Sequence, residues 1–219
     1  MPTDETLLGG DRYNVVYEQS TPEVYDAWAK DGYDEMIASN SLAVTSVCTV
    51  MERMLDGGPA VLLDAGCGTG RLAEVCHSTL GNSVPLTIDG LDYSKGMLQV
   101  AQEKKLYQKL LQADLTKPLS DLADGAYTGV ISSGTFLQGH VGPEALPELC
   151  RITRPGGFMA FSVRPTFFEE KRDEWMSALE AGGMFDINIE MLPYSRGNSD
   201  ANSPMLAPFV SCRKGSGAQ

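Results

Sequence analysis

Asp64-Ala65-Gly66-Cys67-Gly68-Thr69-Gly70 directly follows the apolar run Ala60-Val61-Leu62-Leu63 and leads into a segment with helical periodicity. A short continuous apolar run reads as a strand buried on both faces, and glycines behind it let the backbone turn sharply into a helix. They also let a ligand approach the main chain with no side chain between. A dinucleotide fold would use G-x-G-x-x-G here to hold a pyrophosphate on the helix N-terminus. In this chain the third glycine comes one residue early, and Arg71 stands where that pattern needs Gly or Ala. Asp64 would repel phosphate oxygens at close range, so a cationic ligand suits the loop better than a diphosphate.

On either side of the loop the pattern alternates. A helix is expected over 70–80, a strand over 84–91, a helix over 95–105 and strands near 108–112 and 127–133. A helix near 143–153, the strand 158–163 and a helix over 168–181 follow, and the runs 185–192 and 207–213 can pair as an antiparallel edge. Strands separated by helices imply right-handed crossovers and a mainly parallel sheet with helices on its faces. Upstream, Thr21 and Pro22 suit a helix start, and an aromatic-rich stretch leads into an apolar-periodic run to about Leu55, read as one or two helices. The domain organisation expected is a flexible N-terminus over 1–20, one domain over 21–213 with an N-terminal helical lid at 21–56, and a flexible tail over 214–219.

Composition narrows the class. The 219 residues suffice for one α/β domain, and 42% hydrophobic with 21% charged residues is ordinary globular usage. The 29 acidic against 17 basic residues, a formal charge of -12, oppose binding to long nucleic acid. Five scattered cysteines lack the paired spacing of a zinc site, so no metal is expected, and free thiols point to a reducing compartment. Neither a secretory signal nor a membrane-spanning run is evident.

Two further acids lie beyond predicted strands. Asp92 closes the second strand in Leu86-Thr87-Ile88-Asp89-Gly90-Leu91-Asp92-Tyr93-Ser94, where an α/β nucleotide site places a carboxylate on ribose hydroxyls. Asp89 competes for that role but falls mid-strand. Asp114, after the third strand, suits the exocyclic amine of an adenine, with Leu115 offering apolar surface to the ring.

DAGCGTG at 64–70, GLDYSKGML at 90–98, ADL at 113–115 and RPGGFM at 154–159 follow one another as do the motifs of class I S-adenosylmethionine-dependent methyltransferases, and the chain resembles that family over roughly residues 21–213. The resemblance implies a Rossmann-like three-layer sandwich whose mostly parallel seven-strand sheet ends in a C-terminal antiparallel hairpin. It implies S-adenosyl-L-methionine as cofactor and S-adenosyl-L-homocysteine as product. Cofactor contacts would then fall on Asp64, Gly66, Cys67, Gly68 and Gly70, on Asp92 and Tyr93, on Asp114 and Leu115, and on Ser133. YDAWAKDGYD at 25–34 and SSGTFLQGHVGPEAL at 132–146 are further similar to the methyltransferase-like proteins named for the Williams–Beuren syndrome chromosomal region, a likeness that supplies no acceptor.

Displacement at a sulfonium methyl releases a neutral leaving group, so positioning can supply most of the acceleration and a base is optional. The Asn/Asp-Pro-Pro-Tyr and Pro-Cys signatures of other methyltransferases are absent; Ser132-Ser133-Gly134-Thr135 stands in their place. His140, just beyond the fourth strand, is the candidate general base, against the alternative that it orders its loop. His77 reads as a helix-packing or surface residue. Tyr25, Trp28 and Tyr33 are either core residues or part of a lid that meets the cofactor, with Trp28 and Tyr33 the candidate contacts. Arg164 and Arg196 are candidates for an anionic acceptor, with solvent exposure the commoner reading. The function expected is methyl transfer to a small-molecule or protein acceptor by a monomer in the cytoplasm, the nucleus being an alternative location. The competing reading is a non-catalytic S-adenosylmethionine-binding or regulatory module.

Overall fold

Strand β1 (Ala60–Ala65) carries apolar side chains on both faces, and its adjacent residues Leu62 and Leu63 are fully buried in two different cores. A strand of that kind belongs in the middle of a sheet. In the computed structural model, which describes residues 22–30, 32–81, 83–196 and 204–216, β1 pairs in parallel with β2 (Leu86–Asp92) on one side and β4 (Tyr127–Phe136) on the other. β3 (Lys109–Gln112) extends the sheet beyond β2, and β5 (Thr153–Val163) lies beyond β4, both in parallel. β6 (Met184–Ser195) and β7 (Met205–Lys214) form the antiparallel hairpin, with β7 against β5. The order β3-β2-β1-β4-β5-β7-β6 is the expected seven-strand sheet. It reverses between β1 and β4, where connections leave in opposite directions and open a crevice at the strand ends.

Helices α1 (Pro22–Trp28), α2 (Tyr33–Asn40) and α3 (Ala43–Met54) precede the sheet. α3 and α4 (Arg71–Leu80) cover one face, packing Val47, Met51, Leu72 and Cys76 against Leu62, Ile88 and Phe158. α5 (Lys95–Lys104) follows β2, its start capped by the Ser94 hydroxyl on the Met97 N–H at 3.1 Å. α6 (Leu146–Ile152), α7 (Pro165–Glu170) and α8 (Arg172–Ala181) serve the other core, centred on Trp175. The Trp175 ring lies 5.4 Å from Phe136 and 5.8 Å from Phe167, each edge to face.

Several boundaries differ from those expected, each for a local reason. The run before β1 makes three helices: Gly32 at φ 77 breaks the first from the second, and Ser41 is extended before the third. The helix over 143–153 is a 3₁₀ turn, Pro143–Ala145, followed by α6, and Thr153 already belongs to β5. Pro155-Gly156-Gly157 is absorbed in β5 as an irregularity, with Gly156 at φ 73, so the strand begins before those breakers. The helix over 168–181 is divided at Lys171. Lys214, placed in the tail by sequence, ends β7. The expected flexible stretch 1–20, the Thr21 cap and residues 217–219 lie outside the described residues.

Candidate cofactor and acceptor site

The glycine loop is fastened to the end of β2 by its own backbone. Gly66 and Cys67 donate their N–H groups to the Leu91 carbonyl at 2.8 and 2.9 Å, and the Gly68 N–H goes to Asp92 Oδ2 at 2.8 Å. These three donors are spent within the fold, so they are not arrayed to receive a phosphate. Gly66 needs to be glycine because a Cβ there would lie 2.2 Å from Thr135 Oγ1. That hydroxyl and Ser132 Oγ both donate to the Ala65 carbonyl, at 3.2 and 2.6 Å, clamping the end of β4 to the loop.

Two adjoining cavities open over this junction, of about 260 and 100 Å³. They share Gly66, Gly68, Ser133, Gly134, Tyr33 and His140 as walls. The larger is lined by Asp92, Tyr93, Asp114 and Leu115, so the structure brings the acids after β2 and β3 to one space. The smaller is lined by Asp64, Cys67 and Trp28. Asp92 also accepts the Ser94 N–H on Oδ1 at 2.9 Å; desolvation raises its pKa while these N–H bonds pull it down. Asp114 Oδ1 accepts from the Thr116 N–H and hydroxyl at 2.9 and 2.7 Å. Asp64, 1% exposed, accepts the Tyr107 hydroxyl at 2.7 Å, and burial, with a smaller contribution from Asp92, pushes its pKa to about 7. Asp89 lines neither cavity and receives the Tyr127 hydroxyl at 3.1 Å inside the fold.

The N-terminal helices close over the loop through two acids that sequence reasoning did not single out. Asp26 Oδ1 accepts the Ser94 hydroxyl and the Gly96 N–H, both at 2.6 Å, which docks α1 on the start of α5 and holds the Asp26 carboxyl below the usual range. Asp34 bonds Thr69 Oγ1 at 2.5 Å and Lys104 Nζ at 2.6 Å. Each acid follows a tyrosine, Tyr25-Asp26 and Tyr33-Asp34, and that repeated pair was the signal available in sequence. Trp28 is buried against Tyr33 at 4.9 Å, so these aromatics pack together and wall the cavity at once.

His140 stands where the cavities meet, with Nε2 2.5 Å from the Tyr25 hydroxyl. Burial lowers its pKa, a bond to the Gln138 backbone opposes this, and Arg164 lowers it further, so the surroundings favour the uncharged ring. His77 packs through Nε2 on the Leu106 carbonyl at 3.0 Å, away from both cavities. Gly70 and the two arginines stand apart from the other candidates. Gly70 lines neither cavity: its φ of 90 starts α4, and a Cβ there would press on the Tyr107 ring at 3.0 Å. Arg164 is 2% exposed, buried rather than solvated as the commoner reading of an arginine has it, whereas Arg196 is exposed and lines neither cavity, although Tyr194 and Ser195 just before it line the smaller one. Among the described residues no group of three or more His, Cys, Asp or Glu is placed to hold a metal, and no helix is long and apolar enough to cross a membrane.

A methyltransferase-domain family model matches residues 63–161. The chain is 31% identical over 169 residues to human methyltransferase-like protein 27, covering 74% of this chain and 66% of that protein. It is 35% identical over 102 residues to a malonyl-[acyl-carrier protein] O-methyltransferase of Buchnera aphidicola, covering 47% of this chain and 38% of the relative. The chain thus spans just under two thirds of the first relative and well under half of the second. A solved S-adenosylmethionine-dependent methyltransferase of Thermotoga maritima shares the fold, with a TM-score of 0.60 over 89% of this chain and all of that one at 15% identity. By the order of its sheet, the loop at the crevice and these likenesses, the chain carries a methyltransferase domain over residues 63–161 and has the fold of class I S-adenosylmethionine-dependent methyltransferases.

Proposed function

We propose that the chain binds S-adenosylmethionine in the larger cavity and along the glycine loop, and transfers its methyl group to an acceptor held beside His140. The observation that carries this reading is the pair of glycines at the cavity junction. A Cβ on Gly68, at φ 53, would meet nothing nearer than Tyr33 Oη at 3.8 Å, and one on Gly134, at φ 73, would meet nothing within 4 Å. Both line the two cavities, so their missing side chains leave the open space a ligand needs. The donor set fits as well. Asp92 and Asp114 would take ribose hydroxyls and adenine amine, Tyr93, 53% exposed, and Leu115 would flank the ring, and Asp64 would face the cationic amino-acid end. Tyr33, Ser133, Cys67 and Trp28 would enclose that end.

When bound, the cofactor supplies a methyl group on a positively charged sulfur that leaves as a neutral thioether. The chain's part is to align the acceptor, exclude water with α1 and α2, and take a proton at His140 where the acceptor has one to lose. Five buried free cysteines support an intracellular, cytoplasmic setting, and the protein is taken to act as a monomer. Calorimetry with S-adenosylmethionine, S-adenosylhomocysteine and NAD tests the cofactor, with one-to-one binding of the first two expected. Labelled methyl donor incubated with fractionated cell extract tests transfer. NAD binding with no response to the methyl donor would overturn the reading.

A further inference from the structure

Two residues that wall the smaller cavity each hold a buried polar atom with no hydrogen-bond partner among the described residues: Ser195 Oγ and Arg71 Nε. Arg71 opens α4 directly behind the glycine loop, and Ser195 ends β6. Ser195 is 2% exposed, and its place is fixed by the junction of α2 and α3. The Leu42 N–H goes to the Tyr194 carbonyl at 2.9 Å, Ser46 Oγ donates to the Pro193 carbonyl at 2.7 Å, and Ser41 forms a bridge with Ser195 itself. A hydroxyl buried unpaired at so fixed a place costs stability, and a ligand that accepts from it removes the cost. Arg71 gives Nη1 to Glu74 at 2.7 Å, but Glu74 also holds Lys104 Nζ at 3.1 Å. That carboxylate is shared between two cations, and the guanidinium keeps N–H donors for a further anion.

From this geometry we propose that Ser195 and Arg71 hold the α-carboxylate of the cofactor, and so make the site select adenosyl ligands with a complete amino acid over decarboxylated ones. The proposal rests on the cofactor reading above, which gives the smaller cavity to the amino-acid end. A zwitterion needs an acceptor for its ammonium and donors for its carboxylate. Asp64 in the same wall supplies the first and would repel the second. The glycine loop is poorly placed to supply those donors, because its own are committed inside the fold. The Gly66 and Cys67 N–H groups go to the Leu91 carbonyl, the Gly68 N–H to Asp92, and the Thr69 hydroxyl to Asp34. Ser195 and Arg71 bring unspent donors to the cavity that holds Asp64. A serine hydroxyl turns between staggered positions about Cα–Cβ, so Ser195 can aim at a ligand without any shift of β6. The C-terminal hairpin thereby takes a part in cofactor recognition that its distance in sequence from the glycine loop conceals.

The test is calorimetry on the whole chain with two probes, S-adenosylhomocysteine and its decarboxylated form, which keeps the amine and lacks only the carboxylate. The wild type is expected to bind the complete ligand on the order of 10²-fold more tightly, as charge-assisted bonds from two donors would give. Ser195→Ala and Arg71→Gln are each expected to weaken S-adenosylhomocysteine by roughly tenfold while the decarboxylated ligand stays within about twofold, so that selectivity is lost and general affinity is not. The Arg71 side chain is 39% exposed, so Arg71→Gln carries the test should Ser195→Ala fail to fold. Equal binding of the two probes by the wild type overturns the proposal, as does wild-type selectivity in either folded variant. Variants that weaken both probes alike would make the two residues structural and also overturn it. Failure of the wild type to bind S-adenosylhomocysteine at all is a different result, which overturns the cofactor reading itself.

Discussion

Asp92 Oδ2 accepts the Gly68 N–H at 2.8 Å, so the carboxylate that ends β2 also fixes the glycine loop that ends β1. With the Ser94 N–H on Oδ1 at 2.9 Å, both oxygens are oriented by backbone before any ligand arrives. Such preorganisation lets a ribose bind without the loop first being ordered.

Replacing Asp92 by Ala should therefore weaken S-adenosylhomocysteine binding by about 2 kcal/mol or more, the scale of hydrogen bonds to a charged group. Asp89→Ala should leave affinity nearly unchanged and act on stability, since Asp89 meets Tyr127 within the sheet. Calorimetry on variants shown by thermal unfolding to be folded makes the comparison. Equal losses of affinity would mean that the ribose is not read by Asp92.

Gly134 and Gly156 provide a matched pair. Both sit at φ 73 and a Cβ on either meets nothing within 4 Å, but only Gly134 borders the cavities. Alanine at each should cost about 1–2 kcal/mol of stability for the left-handed backbone. Gly134→Ala alone should also lower cofactor affinity, by roughly tenfold, because its methyl enters ligand space. Equal affinity in the two variants would place the ligand elsewhere.

Much of this site was legible in sequence because it depends on local constraints. The positive φ of Gly66 and Gly68 and the acids at strand ends are features of single turns, and motif spacing reports them. The docking of the N-terminal helices was not legible. Asp26 and Asp34 find partners 68 to 70 residues away, Ser94 and Lys104, and no periodicity encodes which surface acid will do so. Gly70 shows the converse difficulty: φ 90 and the Tyr107 ring already require a glycine there, and in sequence that requirement leaves the same mark as a ligand's would. Arg164 reads in sequence as an anion contact or, more commonly, a solvated side chain, because most arginines are exposed, whereas this one is the cap residue before α7 and lies inside the fold.

Asp64 should make both stability and cofactor binding depend on pH. Its pKa in the folded chain, about 7, is raised above the value near 4 expected when unfolded. Between those values the folded state binds more protons, so Asp64's contribution to stability is full below about pH 4 and is lost as pH rises toward 7. A cationic ligand favours the ionised form, so binding should tighten with pH over the same window and release a fraction of a proton. Calorimetry at pH 6 in buffers of different ionisation enthalpy measures that release. Asp64→Asn should abolish it; the same release from the variant would assign the proton to another group.

The segment from Tyr25 to Tyr33 should gain protection when cofactor binds. α1 is held by Asp26 on Ser94 and Gly96, contacts near the surface worth about 1 kcal/mol, and by the burial of Trp28. α2 is separate, broken off at Gly32, so neither helix is long enough to be stable without its packing. Ligand in the cavities would add contacts to Tyr25, Trp28 and Tyr33, which border that space, and would shift the docking equilibrium accordingly. Asp26→Ala should undock α1, speed amide exchange through both helices and weaken S-adenosylhomocysteine binding, while the central strands stay protected. Because the Asp26 pKa is lowered in the folded state, its contribution is present above the usual carboxylate value and is lost as pH falls through the lowered one, so the docked form should loosen first in acid. Amide exchange with and without S-adenosylhomocysteine is the direct measurement. If residues 25–33 are already as protected without ligand as strand β1, their aromatics are permanent core and do not close over the cofactor as a lid.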